Sequence, residues 1–275
     1  MPVAKVNVFT IELDHSLDTF GFRHHGTGIG GEIGAVRMGA AVYLAEAGSP
    51  IWPYHYHYGV EEWLYVLEGA PVLREPDGER PVSPGDLICF PAGPAGAHTV
   101  SGPGRFVIFS AGHGSGPYMS VYPDSDKVSG PEGILLRRSR VGYWHNEGTS
   151  GPTEPDAFTR RPDASPPRRL AHATLLDLAA GEHAGPYCYA YGREEWVLVA
   201  AGAPTLRHPD GEENLDAGDV VCFRDGPAGA HQLLNRSEAS TRLLRLSSTG
   251  FPANTFYPDT GRWSLQNSAE TTEDV

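Results

Sequence analysis

Residues 53–98 align without a gap to residues 186–231, at a constant offset of 133 (186 − 53), and 28 of the 46 paired positions are identical. PYHYHYG at 53–59 returns as PYCYAYG at 186–192, Glu61-Glu62-Trp63 as Glu194-Glu195-Trp196, and GPAGAH at 93–98 as GPAGAH at 226–231. Farther on, Tyr122-Pro123-Asp124-Ser125 is echoed by Tyr257-Pro258-Asp259-Thr260. Identity of this extent in one register marks a tandem duplication, so the fold of one copy constrains the fold of the other. The chain of 275 residues has room for two modest domains.

Each copy is patterned for strands. Short apolar runs at 41–44 (AVYL), 63–67 (WLYVL), 87–90 (LICF) and 106–109 (FVIF) are separated by turn signals such as Pro76-Asp77-Gly78. Proline there presets φ, aspartate closes a local turn and glycine tolerates positive φ. The 34 glycines and 24 prolines agree with many tight turns. Regularly spaced short strands predict an all-β protein of two tandem barrels or sandwiches. The domains are expected at 1–150 and 151–275, with a Pro/Gly/Arg-rich linker over roughly 129–169 and a disordered acidic tail from Ser268.

A formal net charge of −13 and only short basic pairs, Arg137-Arg138 and Arg168-Arg169, argue against nucleic acid as a partner. No apolar run approaches membrane-spanning length, and the start of the chain lacks the charged and apolar regions of a secretory signal. Three cysteines, Cys89, Cys188 and Cys222, without framework spacing suit a reduced, cytoplasmic setting.

The chemistry-bearing residues cluster in the first copy. His55 and His57 stand two apart, so on a strand both imidazoles leave the same face. Glu62 follows after room for a tight turn, and His98 lies just beyond the glycine-rich run 92–96. Three imidazoles and a carboxylate form a mixed N/O set suited to one divalent transition metal: Fe(II), Mn, Ni or Zn. Four such ligands leave up to two positions open on an octahedral ion for water, O2 or a substrate. The alternative, core or surface histidines with ordinary hydrogen-bond partners, fits a lone histidine better than this set.

These spacings carry a family resemblance. Gly48…His55-x-His57-x4-Glu62-x6-Gly69 resembles the first cupin motif, with its leading glycine one residue farther out than usual. Gly85-x5-Pro91-x-Gly93-x4-His98 resembles the second, with a longer gap between glycine and histidine, and Gly102 stands where the family has asparagine. The resemblance implies two double-stranded β-helix (jelly-roll) barrels, a bicupin similar to poorly characterised conserved-barrel cupins. It also implies a metal held inside the first barrel by His55, His57, Glu62 and His98.

The second copy is an internal control. Cys188 and Ala190 replace the two histidines, while Glu195 and His231 remain. Either Cys188, Glu195 and His231 form an altered metal site, or the barrel is metal-free and Glu195 pairs with His231; the second is the expectation. Tyr54, Tyr56, Tyr58 and Trp63 recur as Tyr187, Tyr189, Tyr191 and Trp196, so they read as packing between sheets or across a barrel interface. Cys89 recurs as Cys222 and reads as a small buried hydrophobe, and the recurrence of Arg74 as Arg207 weighs against substrate anchoring. His24, His25 and His113 lie in Gly-rich sequence and read as solvated loop residues.

Ile51, Pro53, Leu64 and Val66 share the inner face with the presumed ligands, without lysine or arginine in those two strands. An apolar pocket with a polar anchor follows, one that disfavours phosphorylated sugars. Two function classes fit. One is a metal-dependent enzyme on a small organic molecule: a dioxygenase, or an isomerase, cyclase or lyase. The other is a non-catalytic small-molecule binding or storage protein with a structural metal. No catalytic acid or base stands out, and assembly into a homo-oligomer is left open.

Overall fold

The computed structural model describes residues 3–112, 118–131, 133–136, 139–145, 147, 169–250, 252–266 and 272–274. The expected boundary at 150/151, much of the expected linker, most of the acidic tail and His113 lie outside them. Among the described residues there is no α-helix, only strands and single 3-10 turns, and the architecture is two jelly-roll barrels. None of these elements is a helix long and apolar enough to cross a membrane.

The chain divides into two compact units, and neither is continuous in sequence. One comprises residues 12–28 and 39–170; the other comprises 1–11, 29–38 and 171–275. The sequential division expected from the repeat therefore gains a crossing that it did not contain: two short N-terminal segments belong with the second copy. Strand Lys5–Asn7 explains one of them. It pairs antiparallel with Asp219–Phe223, Asn7 opposite Asp219 and Lys5 opposite Val221, and Lys5 Nζ reaches Asp219 at 2.7 Å. Glu194 explains the other, since its carboxylate accepts the backbone N–H groups of Val36, Arg37 and Met38 at 2.7, 3.0 and 3.0 Å.

In the first unit a six-stranded sheet runs His15–Thr19, Phe22–Gly28, Met38–Ala45, Gly104–Ala111, Glu61–Gly69, Leu87–Phe90. A second sheet runs Ser139–Arg140, Gly133–Leu136, Lys127–Gly130, Met119–Tyr122, Tyr56–Tyr58. Part of the expected linker is thus strand. Ile51, Leu64, Val66, Leu73 and Phe106 form the core, each at most 2% exposed. Burying each contributes roughly 1.5–3 kcal/mol, so the barrel has a core that does not depend on its polar interior.

The second unit repeats the plan. Its main sheet runs Lys5–Asn7, Asp219–Phe223, Glu195–Ala201, Thr241–Ser248, Ala171–Leu178, over a core that includes Val197, Leu206, Val221 and Leu243. Both copies keep one further device. Arg74 makes a bidentate pair with Asp124 at 2.5 and 3.0 Å and lies 3.9 Å over Tyr54. Arg207 does the same with Asp259 at 2.7 and 2.7 Å, 4.0 Å over Tyr187. The recurring tyrosine and Tyr-Pro-Asp motifs are therefore two ends of one clamp. Tyr54 and Tyr56 are buried with Ala97 and Val121 inside their own barrel. Tyr58 and Tyr191 are exposed.

Two expectations need correcting. His24 is not a loop residue: it sits on strand Phe22–Gly28, 1% exposed, its ring 4.7 Å from Trp52 and 5.4 Å from Tyr43. Strand alternation turns His24 inward and leaves His25 outside. Cys89 is half-buried rather than enclosed, and Arg169 donates to its sulfur at 2.6 Å.

Candidate metal centre

His55 and His98 come from segments far apart in sequence but are joined as neighbours. The His55 N–H donates to the His98 carbonyl at 3.1 Å, and the His98 N–H returns the bond at 2.8 Å. Gly96 makes this approach feasible: a Cβ there would lie 1.9 Å from the Pro91 carbonyl oxygen, so only glycine fits. His57 lies on strand Tyr56–Tyr58, opposite Ser120, and Glu62 is the second residue of strand Glu61–Gly69.

The imidazoles are oriented from behind. His55 Nδ1–H donates to the Pro53 carbonyl at 2.8 Å, and His98 Nδ1–H to the Gly96 carbonyl at 2.9 Å. Because a carbonyl only accepts, both rings carry their proton on Nδ1 and leave the Nε2 lone pair free. His57 Nδ1 is held by Ser120 Oγ at 2.8 Å. Phe90 stacks flat on His98 with ring centroids 3.6 Å apart.

All three Nε2 atoms face one oxygen. Glu62 Oε2 lies 3.1 Å from His57, 3.4 Å from His98 and 4.0 Å from His55. Among the described residues, His55, Glu62 and His98 are the set of three His, Cys, Asp or Glu whose ligand atoms all fall within 4.8 Å of one another. His57 approaches Glu62 but stands outside that tighter set. Glu62 Oε2 is buried and accepts no well-formed hydrogen bond, a costly state for a carboxylate unless something else satisfies it.

The electrostatics fit a cation. Burial first, then the neighbouring His57 and His98, push the His55 pKa down to about 3. Burial lowers His98 as well. Burial alone would raise Glu62, but the surrounding imidazoles, His57 foremost, bring it down to about 2. At neutral pH the rings of His55 and His98 are neutral and the carboxylate is ionised, the protonation states that metal ligation requires.

A cavity of about 350 Å³ opens over these residues, walled by Tyr43, Ile51, Trp52, Val100, Ile108 and Tyr143. No lysine or arginine is among its described lining residues. Burial raises the pKa of Tyr43 and of Tyr143, so both phenols stay protonated and able to donate. Leu64 and Val66 point into the core beside the cavity rather than into it. Sequence reasoning missed Ser120, Tyr43, Trp52 and Tyr143. A signal existed for Ser120: it stands two residues before the recurring Tyr-Pro-Asp motif, as Thr255 does in the second copy.

In the second barrel His231 Nε2 lies 3.2 Å from Glu195 Oε1, and its Nδ1–H donates to the Gly229 carbonyl at 2.9 Å. Burial first, then Glu195, raises the Cys188 pKa, which keeps the thiol protonated and a poor ligand. Cys188, Glu195 and His231 do not form a second set of the kind built by His55, Glu62 and His98.

Residues 41–112, strands and ligand-type side chains of the first barrel included, match the Cupin domain family. The first barrel thus carries a match to that domain, and the chain as a whole shares the two-barrel fold of the oxalate decarboxylases that follow. The R92A mutant of Bacillus subtilis oxalate decarboxylase is 13% identical with a TM-score of 0.52, the match covering 90% of this chain and 77% of that one. The formate complex of Lactobacillus farciminis oxalate decarboxylase is 11% identical with a TM-score of 0.51, covering 94% and 90%. A sugar phosphate isomerase from a cupin superfamily, from Silicibacter pomeroyi, is 24% identical over 39% of this chain and 68% of its own, with a TM-score of 0.37. No curated protein sequence matches the chain significantly.

Proposed function

We propose that the first barrel is a metal-dependent active site for a small, largely apolar organic molecule with an oxygen-bearing head. One divalent transition ion would be held by His55, His57, Glu62 and His98. The observation that carries this is the convergence of three backed imidazoles on the unpartnered Glu62 Oε2, at the floor of an aromatic cavity. An ion held there would supply Lewis-acid polarisation, or a binding point for O2 if it is Fe(II).

The chain's own residues do the rest. Trp52, Ile51 and Ile108 give the ligand an apolar wall and keep bulk water off the floor. Tyr43 and Tyr143, kept neutral by burial, are placed to donate hydrogen bonds to its oxygen atoms. Without a cationic side chain in the wall, a phosphate group would find no partner, so phosphorylated sugars rank low as substrates.

One observation favours the alternative of a binding or storage protein. Glu62 is the sole carboxylate lining the cavity among the described residues, and no lysine is present to act as a base. Protein purified without chelators should carry about one transition ion per chain by elemental analysis. Metal-dependent O2 uptake, or turnover of carbonyl and enol compounds, then distinguishes the two classes. Binding of such compounds without turnover selects the storage protein; a chain free of transition metal removes both.

A further inference from the structure

We infer that the second barrel holds a site for a small organic carboxylate, built on Arg193 and Arg245 in the place where the first barrel is apolar. The register establishes the correspondence. Arg245 pairs with Val197 as Ile108 pairs with Leu64, and Val197 is the repeat partner of Leu64. Arg193 occupies the repeat position of Val60, three residues past Ala190, which stands where the first copy has His57. Two apolar positions have become guanidinium groups in the same barrel that lost two imidazoles, so the chemistry of the interior has been exchanged rather than erased.

Both arginines line a cavity of about 290 Å³, together with Glu195, His231, Ser247 and Thr255. The lining carries two guanidinium groups against one carboxylate, leaving at least one positive charge in excess. Part of this polar surface has no protein partner: Arg193 Nε and Ser247 Oγ are buried and make no hydrogen bond. A buried guanidinium N–H without a partner carries its full desolvation penalty, which an anion would recover. Arg193 Nη2 is steadied by Thr255 Oγ1 at 3.1 Å, and Arg245 Nε stays 3.9 Å from Glu195 Oε1, too far for a hydrogen bond. Glu195 is already occupied by His231 at 3.2 Å and does not neutralise both arginines.

The excess charge selects the class of ligand. A carboxylate matches the fork of a guanidinium and brings one negative charge. A phosphate dianion would bring two into a site that keeps Glu195, at a cost from repulsion. The hydroxyls of Ser247 and Thr255 suit a hydroxyl or keto group next to that carboxylate.

The test uses the full chain, stripped of metal by chelation so that anions cannot ligate an ion in the first barrel. Glycolate, lactate and inorganic phosphate are titrated by calorimetry and by ligand-observed NMR. The expected result is saturable binding of a hydroxycarboxylate, one per chain, tighter than phosphate. Arg245→Ile and Arg193→Val, which restore the first barrel's residues, should each weaken it by at least about tenfold, the loss of one charge-assisted hydrogen bond. Arg245→Gln, which keeps the reach of the side chain, should weaken it similarly, with near-UV circular dichroism unchanged. Absence of saturable carboxylate binding, equal affinity in all variants, or tighter phosphate binding would each overturn the proposal. Metal content of the first barrel is measured separately, so neither result bears on the other site.

Discussion

Cys188 exchanges both main-chain hydrogen bonds with His231, at 3.2 and 2.9 Å, the same double bond that joins His55 to His98 at 3.1 and 2.8 Å. The second barrel has therefore kept the frame of the first site while changing its side chains. The ring of His231 still stacks on Phe223 at 3.7 Å as that of His98 does on Phe90. Ala190 faces Thr255 where His57 faces Ser120, so even a hydroxyl behind the missing ring is retained.

That frame makes a gain of function testable. Cys188→His with Ala190→His would supply both absent imidazoles, but Arg193 and Arg245 would still oppose a cation. The double variant is expected to bind a second transition ion weakly. Adding Arg193→Val and Arg245→Ile should raise the stoichiometry from about one toward about two per chain by native mass spectrometry. A folded fourfold variant with no second ion would mean that ligand positions alone do not make the site.

In the first barrel, His57→Ala and His98→Ala should each remove most bound metal from protein that remains folded, because the apolar core around Leu64 and Phe106 is untouched. Ser120→Ala removes only the support behind His57 and should weaken metal affinity by about 10-fold to 100-fold. Competitive titration with a chromogenic chelator measures all three. Equal metal affinity in wild type and both histidine variants would dismantle the assignment.

How much of this was legible in the sequence depends on the range of the interaction. The repeat and the spacing of the histidines and glutamate are local, and they point to the barrels and to His55, His57, Glu62 and His98 as a candidate set. Ser120, Tyr43 and Tyr143 enter the site through strand pairing and cavity walls, which the spacing of residues 53–98 does not encode. The pairing of Lys5–Asn7 with the second barrel rests on a ladder more than 200 residues apart in the chain, invisible to any local pattern. The glycines near His24 suggest a loop, whereas the alternation of strand Phe22–Gly28 turns it inward.

The Arg74–Asp124 clamp gives a stability prediction. Both side chains are about one-fifth exposed, and the pair is bidentate and seated on Tyr54. Arg74→Ala should destabilise the first barrel by roughly 1–3 kcal/mol, as loss of a charge-assisted pair with a cation–π contact. Arg74→Lys should recover little of it, since an ammonium cannot make the fork. Urea denaturation followed by tryptophan fluorescence reads both, and a fully stable Arg74→Lys protein would show that charge alone suffices.

His24 supplies a pH dependence with a definite sign. Burial, with help from His15 and His25, lowers its pKa from 6.5 to about 4 in the folded chain. Between those values the unfolded chain takes up a proton that the fold refuses, so acid favours unfolding. The contribution is intact above pH 6.5, falls by about 1.4 kcal/mol per pH unit below it, and levels off near pH 4. Neither ring nitrogen of His24 makes a good hydrogen bond, so an apolar replacement leaves no partner unsatisfied. His24→Leu should therefore flatten the acid limb of the stability curve. The measurement is urea unfolding from pH 7 to pH 4, in chelator so that metal release by His55 and His98 does not add its own slope. His55 is held down to about 3 by burial and keeps its own acid dependence in both proteins, which leaves the difference between the two curves to His24. Parallel curves for wild type and His24→Leu would show that His24 takes up its proton without leaving the fold.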